Sequence, residues 1–463
     1  MAAPDLTGLD EERLSAWLRE RRWFGAKARD VAHVHVLDIV NIHDGPPTVL
    51  VALVEARFPT GTHDVYQLVL ARRPATEAWS EGVLAEMDGE TLYDAMVDPQ
   101  ATALLAGLLR DRAAIAGEHA RVSFHWHGDL APPAPGAIAR PMGVEQSNTS
   151  IVFDRSLVLK TFRRIEAGDN PELEMLRFLT ARDFAHVAPL GGWYEYTGEL
   201  MDATLGVVQR YVGSGRDGWE LALEEIAGEP ERFVDRLVEL GRVIGEMHTV
   251  LAGDHSDPAF APEEPSHEGL SLLTATIDEQ IERAFVDLPD DVEDLAPIAG
   301  RGAEVRDRLA LLSHVGVGGR LIRHHGDLHL GQALLADEGW FILDFEGEPA
   351  RALIDRRRKR SPLRDVAGML RSFAYAASAS ERQRGVAAPE GWEQRAREAF
   401  LAGYLEAADA SLLPAGEAAT RTLLSIFELE KAVYELRYEL NNRPDWVGIP
   451  VAGIVRLLEE PLP

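Results

Sequence analysis

The chain contains no cysteine. Disulfide frameworks, zinc–thiolate sites and cysteine nucleophiles are therefore excluded, and the absence fits a cytoplasmic protein. It also lacks any apolar run of about 18 residues, the length a membrane-spanning helix needs, so no membrane association is expected. The opening stretch, Met1 to Leu14, turns acidic early and has no apolar core, which argues against a signal peptide. Positive charge is scarce as well. With 47 basic against 76 acidic residues the net charge is −29, and a surface that negative repels phosphate backbones. Nucleic acid is not an expected partner.

What is present is an ordinary globular composition, 46% hydrophobic and 27% charged. At 463 residues the chain is too long for one core and suggests two or three lobes. A helical pattern over Glu11 to Arg22 ends at Trp23-Phe24-Gly25. Alternating apolar segments follow at Ala32–Asn41, Thr48–Phe58 and His63–Ala71, separated by Gly- and Pro-containing turns; they predict a small antiparallel sheet. A helix is expected near Pro99–Arg112, and the Pro-rich run Ala131–Gly136 reads as a linker or long turn. Strands are expected at Ser150–Phe153 and Ser156–Phe162, a helix at Pro171–Arg182 and a strand at Leu205–Val212. From Trp219 onward the patterns are mostly helical, apart from short apolar runs at Leu321–Ile322 and Trp340–Leu343. Strands first and helices afterwards indicate an α+β protein.

The chemistry concentrates between residues 323 and 348. Arg323-His324-His325-Gly326-Asp327-Leu328-His329-Leu330-Gly331-Gln332 is followed, after a turn, by Ile342-Leu343-Asp344-Phe345-Glu346-Gly347-Glu348. Phosphoryl transfer requires a carboxylate to take the acceptor's proton and oxygen ligands to hold Mg²⁺ on the phosphates. In protein kinases an amide stands five positions after the base Asp, and a second metal-binding Asp follows a nearby strand. Here Asp327 and Gln332 have that spacing, and Asp344 follows an apolar run. A tight turn or a strand-end cap would explain any one of these residues; it does not explain all three in order. A metal site from His325 and His329, four apart, would need a further ligand and a regular helix through Gly326.

A nucleotide triphosphate is itself an anion, so a chain this acidic must gather positive charge locally. Two basic clusters stand out, Lys160–Arg164 and Arg356–Arg360; the default for the second is a solvated loop. Lys160 ends a strand-like run and suits the α- and β-phosphates, with Glu174, rather than Glu172, chosen as its helix carboxylate. The phosphate-covering loop is then Gln146-Ser147-Asn148-Thr149-Ser150. It lacks G-x-G-x-x-G, so hydroxyls and backbone N–H groups would be the donors.

Taken together these segments resemble the aminoglycoside-phosphotransferase-like branch of the kinase fold, marked by His-Gly-Asp-x-His. More narrowly the chain is similar to the maltokinase and actinobacterial glucosamine kinase group. The resemblance runs nearly end to end through Arg22–Lys27, Glu145–Ser150, His325–Gln332, Asp344–Pro349, Ser361–Met369 and Tyr434–Pro450. It implies a bilobal protein-kinase-like fold with an N-terminal cap subdomain (1–90), an intermediate subdomain completing the nucleotide-binding lobe (91–206), a hinge (207–212) and a mostly helical C-terminal lobe (213–463). It implies ATP and Mg²⁺ as cofactors, Asp327 as base, Gln332 and Asp344 as metal ligands, and Asp365 as a brace for the catalytic loop. Gln209, Tyr211 and Val212 would hold adenine. His329 would support the metal loop or approach the substrate, as would Glu346.

The acceptor site of this group lies in the helical lobe, here the segment from Lys431 to Trp446. Lys431, Glu435 and Glu439 recur every four residues and share a helical face. A solvated ion-pair stripe has the same pattern and contributes roughly 0.3–0.5 kcal/mol per pair. The mixture of polar groups with aromatic rings favours sugar binding by Glu435, Glu439, Arg443 and Trp446. The expectation is a monomeric sugar kinase converting maltose and ATP to maltose 1-phosphate and ADP. The alternative is glucosamine 6-phosphorylation, with aminoglycoside phosphorylation or a nucleotide-binding pseudokinase behind it.

Overall fold

A computed structural model describes residues 6, 9–27, 29–143, 147–286, 288–289, 292–311, 318–349 and 351–460. The chain divides into two compact units, Met1–Thr180 with Ala188–Gly213, and Ala181–Val187 with Ser214–Pro463.

The first unit holds two antiparallel sheets. Strands β1 (His33–His43), β2 (Thr48–Arg57), β3 (His63–Pro74), β4 (Val83–Met87) and β5 (Glu90–Asp94) run in the order β1-β2-β3-β5-β4. Residues Val49 to Ala56 of β2 are buried along their whole length; such a continuous Val/Leu/Ala run suits a central strand covered on both faces. Helix α1 (Glu11–Glu20), capped by the Asp10 carboxylate, lays Leu14, Trp17 and Leu18 on this sheet. Trp23 and Phe24 are core residues packed against Tyr66, as expected for rings that follow an amphipathic helix.

After α2 (Pro99–Asp111), the second sheet comprises β6 (Ala114–Ala116), β7 (Ala120–Trp126), β8 (Ala139–Pro141), β9 (Asn148–Phe153), β10 (Leu157–Phe162), β12 (Leu190–Gly198) and β13 (Asp202–Arg210), ordered β6-β7-β12-β13-β10-β9-β8. The two-residue β11 (Arg164–Ile165) pairs instead with β3 of the first sheet. Arg163, between β10 and β11, is buried; it donates to Asp94 at 2.7 Å and to Thr149 at 2.8 Å, with its guanidinium 4.7 Å from the Trp23 ring centroid. One cation thus ties the two sheets together. Helix α3 (Pro171–Thr180) lies between β11 and β12 in the chain. Strands β7 and β12 are not among the strands expected from sequence.

The second unit is helical: α4 (Gly218–Gly228), α5 (Pro230–Leu251), α6 (His267–Val286), α7 (Gly302–Ala310), the one-turn α8 (Leu353–Arg356), α9 (Leu363–Ala379), α10 (Trp392–Ala407), α11 (Glu417–Asn442) and α12 (Gly448–Glu459). A small sheet, β14 (Arg216–Asp217), β15 (Ala333–Ala336) and β16 (Gly339–Ile342), accompanies them. No helix among the described residues is long and apolar enough to cross a membrane.

Helices α5 and α10 approach through glycines. A Cβ on Gly403 would sit 1.9 Å from the Val238 carbonyl oxygen, and one on Gly241 2.0 Å from that of Phe400. Backbone cannot yield as a side-chain tip can, so Gly403→Ala is expected to cost about 1–3 kcal/mol or more by overpacking. A Cβ on Gly228 would meet no atom within 4 Å, so Gly228→Ala should be near neutral. Urea unfolding of the two variants checks the difference.

Candidate active site

The hairpin β15–β16 explains why Gln332 and Asp344 belong together although twelve residues apart in sequence. Ala333 pairs with Ile342 and the Leu343 N–H donates to the Gln332 carbonyl. The residues flanking the open end of the hairpin are thereby brought side by side, with Gln332 Nε2 3.1 Å from Asp344 Oδ2. Asp344 has φ +61°, a left-handed conformation uncommon for a non-glycine residue and often found at functional sites.

The Asp327 loop is fixed from two directions. Asp365, at the start of α9, accepts the backbone N–H of His325 at 2.7 Å and of Gly326 at 2.9 Å, and lies 3.1 Å from His248 Nε2. Gly326 needs its φ of +86° to turn there. His325 then bridges to the segment that carries Asp344. The Asp327 N–H donates to its Nδ1 at 3.3 Å, which leaves Nε2–H to donate to the Leu343 carbonyl at 2.8 Å. Burial pushes Asp365 up, but the surrounding histidines, His324 and His248 first, hold it well below the ordinary carboxylate range. The brace therefore stays charged at neutral pH and is lost only in strong acid. Each of its charge-assisted bonds is worth about 1.5–3 kcal/mol.

Asp327 itself receives Lys431 of α11, whose Nζ is 3.3 Å from Oδ1. Burial works against the Lys431 charge, and Asp327, then Glu348 and Glu435, outweigh it and raise the ammonium's pKa. A small pocket of about 70 Å³ opens at this carboxylate, lined in part by Asp327, Glu348, Arg351, Lys431 and Tyr434. Burial first, then the Glu348 carboxylate, push the Tyr434 phenol up.

Several expected roles move. Lys160, on β10, donates to Glu172 at 2.7 Å, so the lysine's carboxylate is Glu172 rather than Glu174: Glu172 is on the buried side of α3 and Glu174 is half-exposed. Of the expected phosphate-covering loop, Gln146 lies outside the described residues. Asn148, Thr149 and Ser150 are not loop but part of β9, paired with Phe162, Thr161 and Lys160, and Thr149 accepts from Arg163. Ser147 precedes that strand, exposed. Gln209 donates to the Ala188 carbonyl at 3.0 Å, and the Tyr211 N–H to the Ser156 carbonyl at 2.8 Å; Val212 follows the end of β13. His329 turns inward: its Nδ1 accepts the Gly331 N–H at 3.1 Å, which makes it a brace of the turn preceding Gln332. Burial lowers its pKa. The Glu346 carbonyl accepts from Arg356 at 3.2 Å.

The acceptor assignments change most. Glu435 takes both Nε and a terminal nitrogen of the buried Arg371, at 3.0 and 2.7 Å. Glu439 accepts from the Tyr375 hydroxyl at 3.1 Å and from Arg443 at 2.9 and 2.6 Å. The helical face that carries Lys431, Glu435 and Glu439 is thus the face packed on α9. Trp446 stacks on Tyr375 with centroids 6.3 Å apart, and the Arg443 guanidinium lies 4.8 Å from its ring centre. Glu435, Glu439, Arg443 and Trp446 do not line the pocket at Asp327. Lys431, Glu348 and Tyr434 line it instead. Only Lys431 could have been singled out from sequence, by its place on the same helical face.

Residues 17–98 match the family model described as the maltokinase N-terminal cap domain. The fold and that match define a kinase-fold protein with a maltokinase-type cap, of α+β class with a helical C-terminal part, as the sequence resemblance implied. More particularly, the chain is 25% identical over 334 residues to a glucosamine kinase of Mycolicibacterium smegmatis, covering 69% of this chain and 80% of that one. It is 26% identical over 342 residues to a glucosamine kinase of Streptacidiphilus jiangxiensis, covering 71% and 75%. A solved glucosamine kinase in complex with glucosamine, ADP and inorganic phosphate aligns with TM-score 0.70 at 19% identity, over 98% of this chain and 100% of that one.

The Arg371–Glu435 pair has a measurable consequence. Glu435→Gln leaves a buried guanidinium uncompensated and is expected to cost about 3–5 kcal/mol in urea unfolding. Unchanged stability with weakened sugar binding would return Glu435 to the acceptor site.

Proposed function

We propose that the protein is an ATP- and Mg²⁺-dependent kinase acting on a sugar hydroxyl. The observation that carries this reading is the presence of two braced loops: Asp327 beside a pocket, and Gln332 with Asp344 at the hairpin end. The similarity to proteins named as glucosamine kinases supports it.

In this mechanism a sugar hydroxyl occupies the pocket and hydrogen bonds Asp327. As its oxygen attacks the γ-phosphorus, Asp327 takes the hydroxyl proton, the bond from that phosphorus to the β–γ bridging oxygen breaks, and ADP leaves. Lys431 orients the carboxylate. Lys160, held by Glu172, supplies positive charge for the α- and β-phosphates, and Gln209, Tyr211 and Val212 lie on the strand end assigned to adenine. Asp344 and Gln332 offer a carboxylate and a carboxamide, hard oxygen donors of the kind Mg²⁺ prefers. Bound there, Mg²⁺ would neutralise charge building on the phosphate oxygens.

For the acceptor, maltose giving maltose 1-phosphate remains the leading reading. The two glutamates that would have suited an ammonium group are taken by Arg371, Tyr375 and Arg443, and at the pocket Asp327 is already shared with Lys431 and Glu348 with Arg351. Glucosamine 6-phosphorylation is the second reading, favoured by the relatives' names.

Asp327→Asn should leave nucleotide affinity little changed and lower turnover by about 10²–10⁴-fold, as measured by coupled ADP release; near-normal turnover removes Asp327 as base. Asp344→Ala should abolish the Mg²⁺ dependence of nucleotide binding in a fluorescence titration, and full retention breaks the metal assignment.

A further inference from the structure

The basic run Arg356–Arg360, for which the sequence suggests a solvated loop, does not lie free on the surface. Lys359 donates to Glu263 at 2.8 Å, Arg358 pairs with Asp355 at 3.3 Å, and Arg356 donates to the Glu346 carbonyl. Arg360 is different. Its backbone is fixed by mutual N–H···O bonds with Ile322, both 2.9 Å, and its side chain lines the pocket at Asp327. It also lines an adjoining cavity of about 540 Å³ between α6, α11 and the 351–364 segment.

Carboxylates around the pocket and that cavity are already committed. Glu430 pairs with Arg364 at 2.7 Å, Glu263 with Lys359 at 2.8 Å, Glu264 with Arg320 at 3.2 Å, and Glu348 with Arg351. Among the described residues no carboxylate comes within ion-pair distance of the Arg360 guanidinium. Burial first, then Arg364 and Arg351, push it down to about 10 against the weaker pull of Glu430 and Asp355, and it is still a cation at neutral pH. Close by, the buried His324 ring has an Nδ1 with no hydrogen-bond partner among the described residues and lines the same pocket. A half-buried cation flanked by two more, in a protein of net charge −29, is a local reversal of the surface field. Leaving it uncompensated is costly, and an anionic ligand would relieve that cost.

Resting on the kinase reading, we infer that Arg360 forms an anion subsite beside the acceptor pocket, which receives a carboxylate or phosphate group next to the phosphorylated sugar. The cavity has room for more than one sugar-sized group, and Phe427, Leu270 and Leu273 give it an apolar wall against which a sugar's C–H face can pack. The anionic group can be carried by the acceptor itself or arrive as a free ion.

The test is calorimetric titration of the full chain without nucleotide, at constant ionic strength, with three probes: maltobionate, its uncharged counterpart maltitol, and orthophosphate. Maltobionate is expected to bind about tenfold or more tightly than maltitol, with the preference lost in Arg360→Gln and retained in part in Arg360→Lys. Orthophosphate binding that depends on Arg360, without a maltobionate preference, supports the subsite and assigns it to a free ion. Equal binding of maltobionate and maltitol together with Arg360-independent or absent orthophosphate binding overturns it. Arg360→Lys serves as the comparison should Arg360→Gln not fold. Acceptor-dependent ADP release is scored separately: a chain that phosphorylates a neutral sugar but shows no anion preference loses the subsite and keeps the kinase reading. One that shows the preference with no acceptor-dependent ADP release keeps the subsite and loses the kinase reading.

Discussion

The carboxylate of Asp365 holds the site in shape. It stands at the start of α9, buried, and accepts the two backbone N–H groups that precede Asp327. Without it those donors would be buried with no partner, and the loop would have no reason to take the one conformation that presents Asp327 to the pocket. His325, positioned by that loop, reaches the Leu343 carbonyl and ties the Asp327 loop to the Asp344 turn. One charge thus orders both the Asp327 loop and, through His325, the Asp344 turn, without touching either of those two carboxylates. The arrangement is preorganised: the geometry is set by folding rather than by substrate.

Helix α11 shows how the same residues serve architecture and chemistry. Down one face, Glu430, Glu435 and Glu439 meet Arg364, Arg371 and Tyr375 of α9 in order along both helices. Lys431, just beside that row, reaches Asp327. Packing α9 against α11 therefore brings Asp365 and Lys431 to the same loop. Around the pocket Arg351 and Arg364 are neutralised in pairs with Glu348 and Glu430, and Arg360 has no carboxylate within ion-pair distance among the described residues.

Much of this is legible in sequence, for definite reasons. The Asp327, Gln332 and Asp344 spacing reflects a hairpin whose length is constrained by pairing, and β1 to β3 alternate or run apolar as sheet strands must. Strands β7 and β12 are not legible, since each depends on cross-strand partners that local pattern does not reveal. Glu172 and Glu174 are two positions apart on α3, so a small error in helix phase exchanges the buried carboxylate for the half-exposed one. Glu435 and Glu439 read as sugar ligands because a helical face looks the same in sequence whether it meets a ligand or another helix. Only the position of Arg371 and Tyr375, some sixty residues earlier in the chain, decides between them.

The central claim is that these two loops transfer phosphate to a sugar. Coupled ADP release, measured with maltose, glucosamine, glucose and an aminoglycoside as separate acceptors, tests it most directly. ADP release is expected to depend on a sugar acceptor and on Mg²⁺, and to be greatest with maltose. ATP turnover with no dependence on any sugar would contradict it.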